Sequence, residues 1–172
     1  LAWIDPAGSL RNGPQSAGAT PGPAAYGTGG TQPTNTDANV VLNRLGTKLA
    51  GGKMTLQPDL ARQAVHSGVA EPFGMTDEEA ALAIVKVANA NMADAVRLVS
   101  IRRGYDPREF ALVAFGGAGA LHGAALAREL SIPTVLVPPN PGVTSALGCL
   151  LVDIRHDMSV MYQKSLADAS SE

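Results

Sequence analysis

The chain has 172 residues, carries 13 Lys and Arg against 15 Asp and Glu, and is 45% hydrophobic and 16% charged. That length suits one domain or a piece of a larger one, and a net charge of −2 excludes a nucleic-acid footprint or a polybasic membrane patch. The hydrophobic share excludes a disordered chain, the single cysteine excludes a disulfide framework or a Cys-only zinc site, and no apolar run is long enough to span a bilayer.

The first residue is Leu1 rather than Met, so the chain reads as cut from something longer. Leu1–Ile4, a turn over Asp5-Pro6-Ala7-Gly8 and Ser9–Arg11 predict a hairpin. Glycine and proline crowd the start: residues 1–36 hold seven Gly and five Pro. The tract GPQSAGATPGPAAYGTGGTQPT, 13–34, has the composition of a flexible linker. It also carries Tyr26 and several alanines, which suit an ordered loop with unusual backbone angles, and composition leaves both readings open.

Beyond residue 36 the pattern becomes regular. Thr36 or Asp37 can cap a short helix through Leu45, stopped by Gly46, and 58–67 reads as a second helix ending near Gly68. Thr76 and Glu79 form a capping box. Ile84, Ala88, Met92, Val96 and Val99 then recur at helical spacing, which predicts one long amphipathic helix to Arg102 or Arg103, ended by Gly104. Phe110–Phe115 has the uninterrupted apolar run of a buried parallel strand. Gly116-Gly117-Ala118-Gly119 leads into a helix over 120–130, and Thr134–Val137 reads as a second strand. This strand–Gly loop–helix–strand unit predicts an α/β fold. A last helix over 144–152 carries Cys149, expected as a buried, inert thiol among leucines, and the polar tail 163–172 is expected to fray.

The chemistry-bearing candidates follow from these elements. A glycine turn between strand and helix brings a ligand to bare backbone beside a helix N-terminus, so Gly116, Gly117, Ala118 and Gly119 are candidate nucleotide-binding residues. A tight turn with close packing would need the same glycines. The spacing fits neither a dinucleotide fingerprint, since His122 stands where a third glycine is needed, nor a P-loop, since Gly52-Lys53 is followed by Met54. Neither a GxSxG nor an HExxH motif occurs, and no metal site is expected from His66, His122 and His156. His122, one helical turn past the glycines, could face a ligand or simply pack. Asp37 could cap its helix or offer a cleft carboxylate. Arg102, Arg103, Asp106 and Arg108 read as a surface charge network.

Long, unusual strings carry a resemblance over about 2–157: SAGATPGPAAYG, TDAN, RGYDPREF, FGGAGALH and SALG, in that order. In these the chain resembles the hydantoinase A/oxoprolinase family, which includes N-methylhydantoinases, 5-oxoprolinases and subunits of acetone and acetophenone carboxylases. The resemblance implies part of an actin/Hsp70/sugar-kinase-like (ribonuclease H-like) ATPase lobe. Residues 1–162 would be the C-terminal portion of the domain, and the 13–34 tract an ordered loop facing a cleft. It implies that Gly116, Gly117 and Gly119 pack against the nucleoside of ATP, and that Asp37 (as a catalytic residue) and Asn39 line the cleft, with His122 near it. ATP and Mg²⁺ are the implied cofactors, and a cyclic amide of hydantoin or 5-oxoproline type the implied substrate. The implied reaction is ATP-dependent ring opening; a carboxylase-type ligase and a non-catalytic nucleotide-binding or assembly module are the alternatives. The family's DxGGT phosphate loops do not occur in these residues, so the chain alone is expected to be inactive. The implied partners are the rest of its own protein and a second hydantoinase-type subunit. Near-neutral charge and one thiol point to a cytoplasmic protein acting on small molecules.

Overall fold

In the computed structural model, which describes residues 1–161, the N-terminal hairpin forms as expected. β1 (Ala2–Ile4) and β2 (Leu10–Asn12) pair antiparallel, Ala2 opposite Asn12 and Ile4 opposite Leu10. The Asp5 carboxylate holds the turn by accepting from Ala7 N and Ser9 N at 3.0 and 2.9 Å. The glycine-rich tract is a built loop rather than a linker. Pro23, Ala24 and Ala25 are buried, and Ala24–Tyr26 makes one turn of 3₁₀ helix closed by Gly27 at φ 70°.

α1 (Asn35–Val41) begins earlier than the sequence suggested, because Thr34 is its cap and Asp37 its third residue. The Thr34 hydroxyl accepts from Asp37 N at 3.1 Å while the Asp37 carboxylate accepts from Thr34 N at 2.9 Å, a reciprocal capping box. It also ends earlier, at Leu42, where Asn43 turns left-handed at φ 54°. A small hairpin follows that periodicity did not reveal: β3 (Lys48–Leu49) against β4 (Met54–Thr55).

α2 (Pro58–Val65) does not stop at Gly68. The chain runs on through a π turn at His66–Ala70 into α3 (Glu71–Phe73), and Gly74, at φ 63°, supplies the left-handed end. Gly68 serves close packing instead: a Cβ there would sit 2.6 Å from Pro33 Cγ. α4 (Asp77–Val99) starts at the expected Thr76–Glu79 box and passes through a 3₁₀ turn to Gly104 at φ 84°.

β5 (Ala111–Val113) and β6 (Thr134–Leu136) pair parallel, with Leu112 opposite Val135, and α5 (Gly119–Glu129) connects them. The expectation of a buried strand is corrected here. Val113, Phe115, Leu136 and Val137 are about half exposed, because among the described residues this sheet has two strands. α5 lies close on it, since a Cβ on Gly123 would come within 3.1 Å of Ala114 Cβ and 3.3 Å of Val135 Cγ1. α6 (Thr144–Leu151) buries no residue, so Cys149 is an exposed thiol rather than a buried one. The tail 163–172 lies outside the described residues.

α4 joins two apolar cores. Its first half, with Ala80, Ala81, Ile84 and Val85, packs with α1, α2 and β1. Its second half, with Met92, Ala93 and Val96, meets Leu126 and Ala127 of α5 and Leu130 at its end. Half of the first cluster is alanine, which lets the helices approach closely.

Candidate functional site

Because α4 serves both cores, it brings α1 beside the start of α5. A cavity of about 400 Å³ opens there, lined by Asn35, Thr36 and Asn39 of α1, Gly117, Ala118, Leu121 and His122 of the glycine loop and α5, and Tyr26, Leu45 and Leu49. Residues far apart in sequence thus meet: Asn39 from the TDAN string, and Gly117, Ala118 and His122 from FGGAGALH.

Each wall has a local cause. Gly117 leaves room beside the backbone, since a Cβ there would touch nothing within 4 Å and its φ is not left-handed. Its lack of a side chain is therefore not required by the turn itself. Gly116 does serve the turn, at φ 84° with its N–H donating to Pro141 O at 2.7 Å, and neither it nor Gly119 lines the cavity. Ala118 is the N-cap of α5 and offers no side-chain cap.

His122 is buried, and its Nδ1 lies 2.7 Å from Asn89 Oδ1 of α4. Burial, and to a lesser degree the charge of Arg44, push the His122 imidazole below its ordinary range, which favours the neutral ring. Asn39 is 2% exposed; its Nδ2 donates to Asn35 O at 2.8 Å, while its Oδ1 has no partner among the described residues.

Asp37 is not part of this lining. It is fully buried, and its carboxylate accepts from Ala25 N at 2.7 Å, Thr34 N at 2.9 Å, Thr34 Oγ1 at 2.7 Å and Ala24 N at 3.3 Å. It therefore ties the Ala24–Tyr26 turn to α1, which sets the Tyr26 wall. Sequence reasoning missed Thr36, Leu45 and Leu49 as walls and Asn89 as the partner of His122. Tyr26, the lone aromatic in the glycine-rich tract, was the available signal.

A larger groove of about 570 Å³ runs along Arg97, Tyr105, Asp106, Arg108 and Glu129. Its cations are already paired, Arg97 with Asp94 and Glu129, and Arg108 with Asp106, whose carboxyl is held down at about 2 by that guanidinium. It is a surface recess of satisfied charges; of the expected network Asp106 and Arg108 pair with each other, while Arg102 and Arg103 do not line it. No group of three His, Cys, Asp or Glu side chains suited to a metal ion occurs among the described residues, and none of their helices is long and apolar enough to cross a membrane.

The chain is 44% identical to the caprolactamase subunit alpha of Pseudomonas jessenii, over 98% of this chain and 24% of that protein. It is 41% identical to the acetophenone carboxylase gamma subunit of Aromatoleum aromaticum, over 96% of this chain and 22% of that one. The crystal structure of the ATP-dependent caprolactamase from Pseudomonas jessenii superposes with a TM-score of 0.82 at 45% identity, covering 91% of this chain and 23% of that one. The chain thus spans about a quarter of the length of these relatives. The hydantoinase/oxoprolinase family matches across residues 1–158, and the chain belongs to it.

Proposed function

We propose that this chain is the nucleoside-binding part of an ATP-dependent enzyme that opens a cyclic amide, within an actin-like ATPase lobe. The observation that carries the reading is the cavity that Gly117, Ala118 and His122 of the glycine loop and α5 share with Asn39 of α1. It is large enough for a nucleoside, and Gly117 adds no side chain to its wall. When bound, ATP supplies the phosphoryl group that turns an amide oxygen into a good leaving group. Gly117 and Ala118 would take the nucleoside face, and Asn39 and His122 would orient its polar edge. Asp37 acts as a positioning residue behind Tyr26, in place of a catalytic role.

The phosphates and Mg²⁺ fit less well. Among the described residues no Lys or Arg lines the cavity, although the charge of Arg44 reaches His122, and the Asp37 carboxylate is taken up by hydrogen bonds. Groups outside these residues would hold them. A second subunit is the proposed partner, supported by relatives that are themselves named as subunits. The carboxylase-type reading has comparable support, because a carboxylase subunit is among those relatives. A cytoplasmic setting suits an exposed free thiol.

Titration calorimetry with ATP and adenosine tests the reading. Wild-type chain binds both, and Gly117→Val abolishes binding while leaving the melting temperature unchanged. Equal binding by the variant would remove the loop from the site. Incubating the chain with ATP and hydantoin, 5-oxoproline or caprolactam gives no turnover; measurable ring opening would overturn the division of labour proposed here.

A further inference from the structure

Among the polar walls of the cavity, Asn35 has its hydrogen-bonding sense fixed by the fold. The Tyr26 and Thr36 hydroxyls can donate or accept, and the roles of the His122 ring nitrogens depend on its tautomer. Asn35 has no such freedom. It is half-buried, and its backbone oxygen accepts from Asn39 Nδ2 at 2.8 Å. Its side-chain Oδ1 accepts from Asn12 Nδ2 at 2.9 Å, and the same Asn12 nitrogen donates to Ile84 O at 3.2 Å. A backbone carbonyl can only accept, so Asn12 must turn its –NH₂ toward both oxygens, and a flipped Asn35 amide would set one –NH₂ against another. Asn12 is held in turn from α4, since its backbone oxygen accepts from Asn91 Nδ2 at 3.0 Å. With both oxygens of Asn35 engaged, the group it has left to offer is Nδ2. That nitrogen has no partner among the described residues and is not one of their fully buried atoms.

We propose that Asn35 is a specificity-determining residue of the cavity, donating from Nδ2 to a ring nitrogen of the bound base, with Asn12 as the positioning residue that fixes its orientation. A ring nitrogen without a hydrogen is a fixed acceptor, whereas a ribose hydroxyl adapts to either polarity, so a fixed donor discriminates at the base. The inference rests on the nucleotide reading above and assigns part of its specificity.

Calorimetry compares adenosine with its 1-deaza, 3-deaza and 7-deaza analogues, each carrying C–H in place of one ring nitrogen. One analogue binds wild type about tenfold more weakly than adenosine. Asn35→Ala closes that gap by weakening adenosine while leaving the analogue unchanged. Asn35→Asp keeps an oxygen for Asn12 and puts an acceptor in place of Nδ2, so it weakens adenosine at least as much while its melting temperature holds or rises. Asn12→Ala weakens adenosine on its own and has no further effect beside Asn35→Ala, which shows that it acts through Asn35. Four equal affinities on wild type, a gap that persists in Asn35→Ala, or full adenosine affinity in Asn35→Asp would overturn the inference while leaving the nucleotide reading intact. An Asn12→Ala effect that persists beside Asn35→Ala would overturn the positioning role. Absence of adenosine binding to wild type would defeat both the inference and the reading.

Discussion

Asp37 illustrates how one buried side chain can organise a site it does not line. Its two oxygens collect four donors from Ala24, Ala25 and Thr34, and an asparagine would set an N–H₂ against some of those donors. Asp37→Asn should therefore cost about 3 kcal/mol, read as a lower midpoint in urea unfolding. A catalytic carboxylate would behave oppositely, with activity lost and stability kept or raised. His122 makes a second residue-scale prediction. Its folded-state pKa is depressed by burial and by Arg44, with Asn89 as its neutral partner. The related stability is full above the unfolded imidazole value of about 6.5 and is lost as pH falls from there through the lowered folded value. Urea-unfolding midpoints measured from about pH 7.5 to 5 should fall with pH; a midpoint that stays flat would show that burial does not hold His122 neutral.

Among the elements, those with strong local signals were legible in the sequence. Thr76 and Glu79 announced α4, and Asp5 to Gly8 announced the β1–β2 turn, because both signals act within a few residues. Thr34 was overlooked because its box closes with Asp37 rather than the more usual Glu, and β3 and β4, of two residues each, are too short for periodicity to register. That Asn39 and His122 line one cavity was harder still to foresee, since it depends on how α4 packs against both α1 and α5. Glycines also divide by role only once packing is known. Gly123 has Ala114 Cβ and Val135 Cγ1 within 3.3 Å of where its own Cβ would be, so Gly123→Val must push α5 off the sheet. That should cost about 1–3 kcal/mol in thermal or urea unfolding, while Gly117→Val, facing open space, should change stability by less than about 0.5 kcal/mol. Equal losses at both positions would mean that Gly117 serves the fold and not a ligand.

At the scale of the whole molecule, the two cores differ in what covers them. The α1–α2–α4 core is enclosed, with Ile84, Val65 and Val69 fully buried. The β5–β6 unit is covered closely by α5 and leaves Val113, Leu136 and Val137 about half exposed. An apolar strand pair with open edges is a template for pairing with another chain. The chain in isolation should accordingly self-associate through this sheet, seen as concentration-dependent light scattering. Val113→Thr combined with Leu136→Thr keeps residues suited to strands while removing apolar surface. The double variant should scatter less, and its unfolding midpoint should move by no more than about 0.5 kcal/mol per site, as for other surface positions. A loss of several kcal/mol would show instead that both side chains are enclosed when the chain folds alone. That outcome would make this sheet part of a finished core, whereas reduced scattering with unchanged stability would identify it as a surface that the longer relatives have further chain to cover.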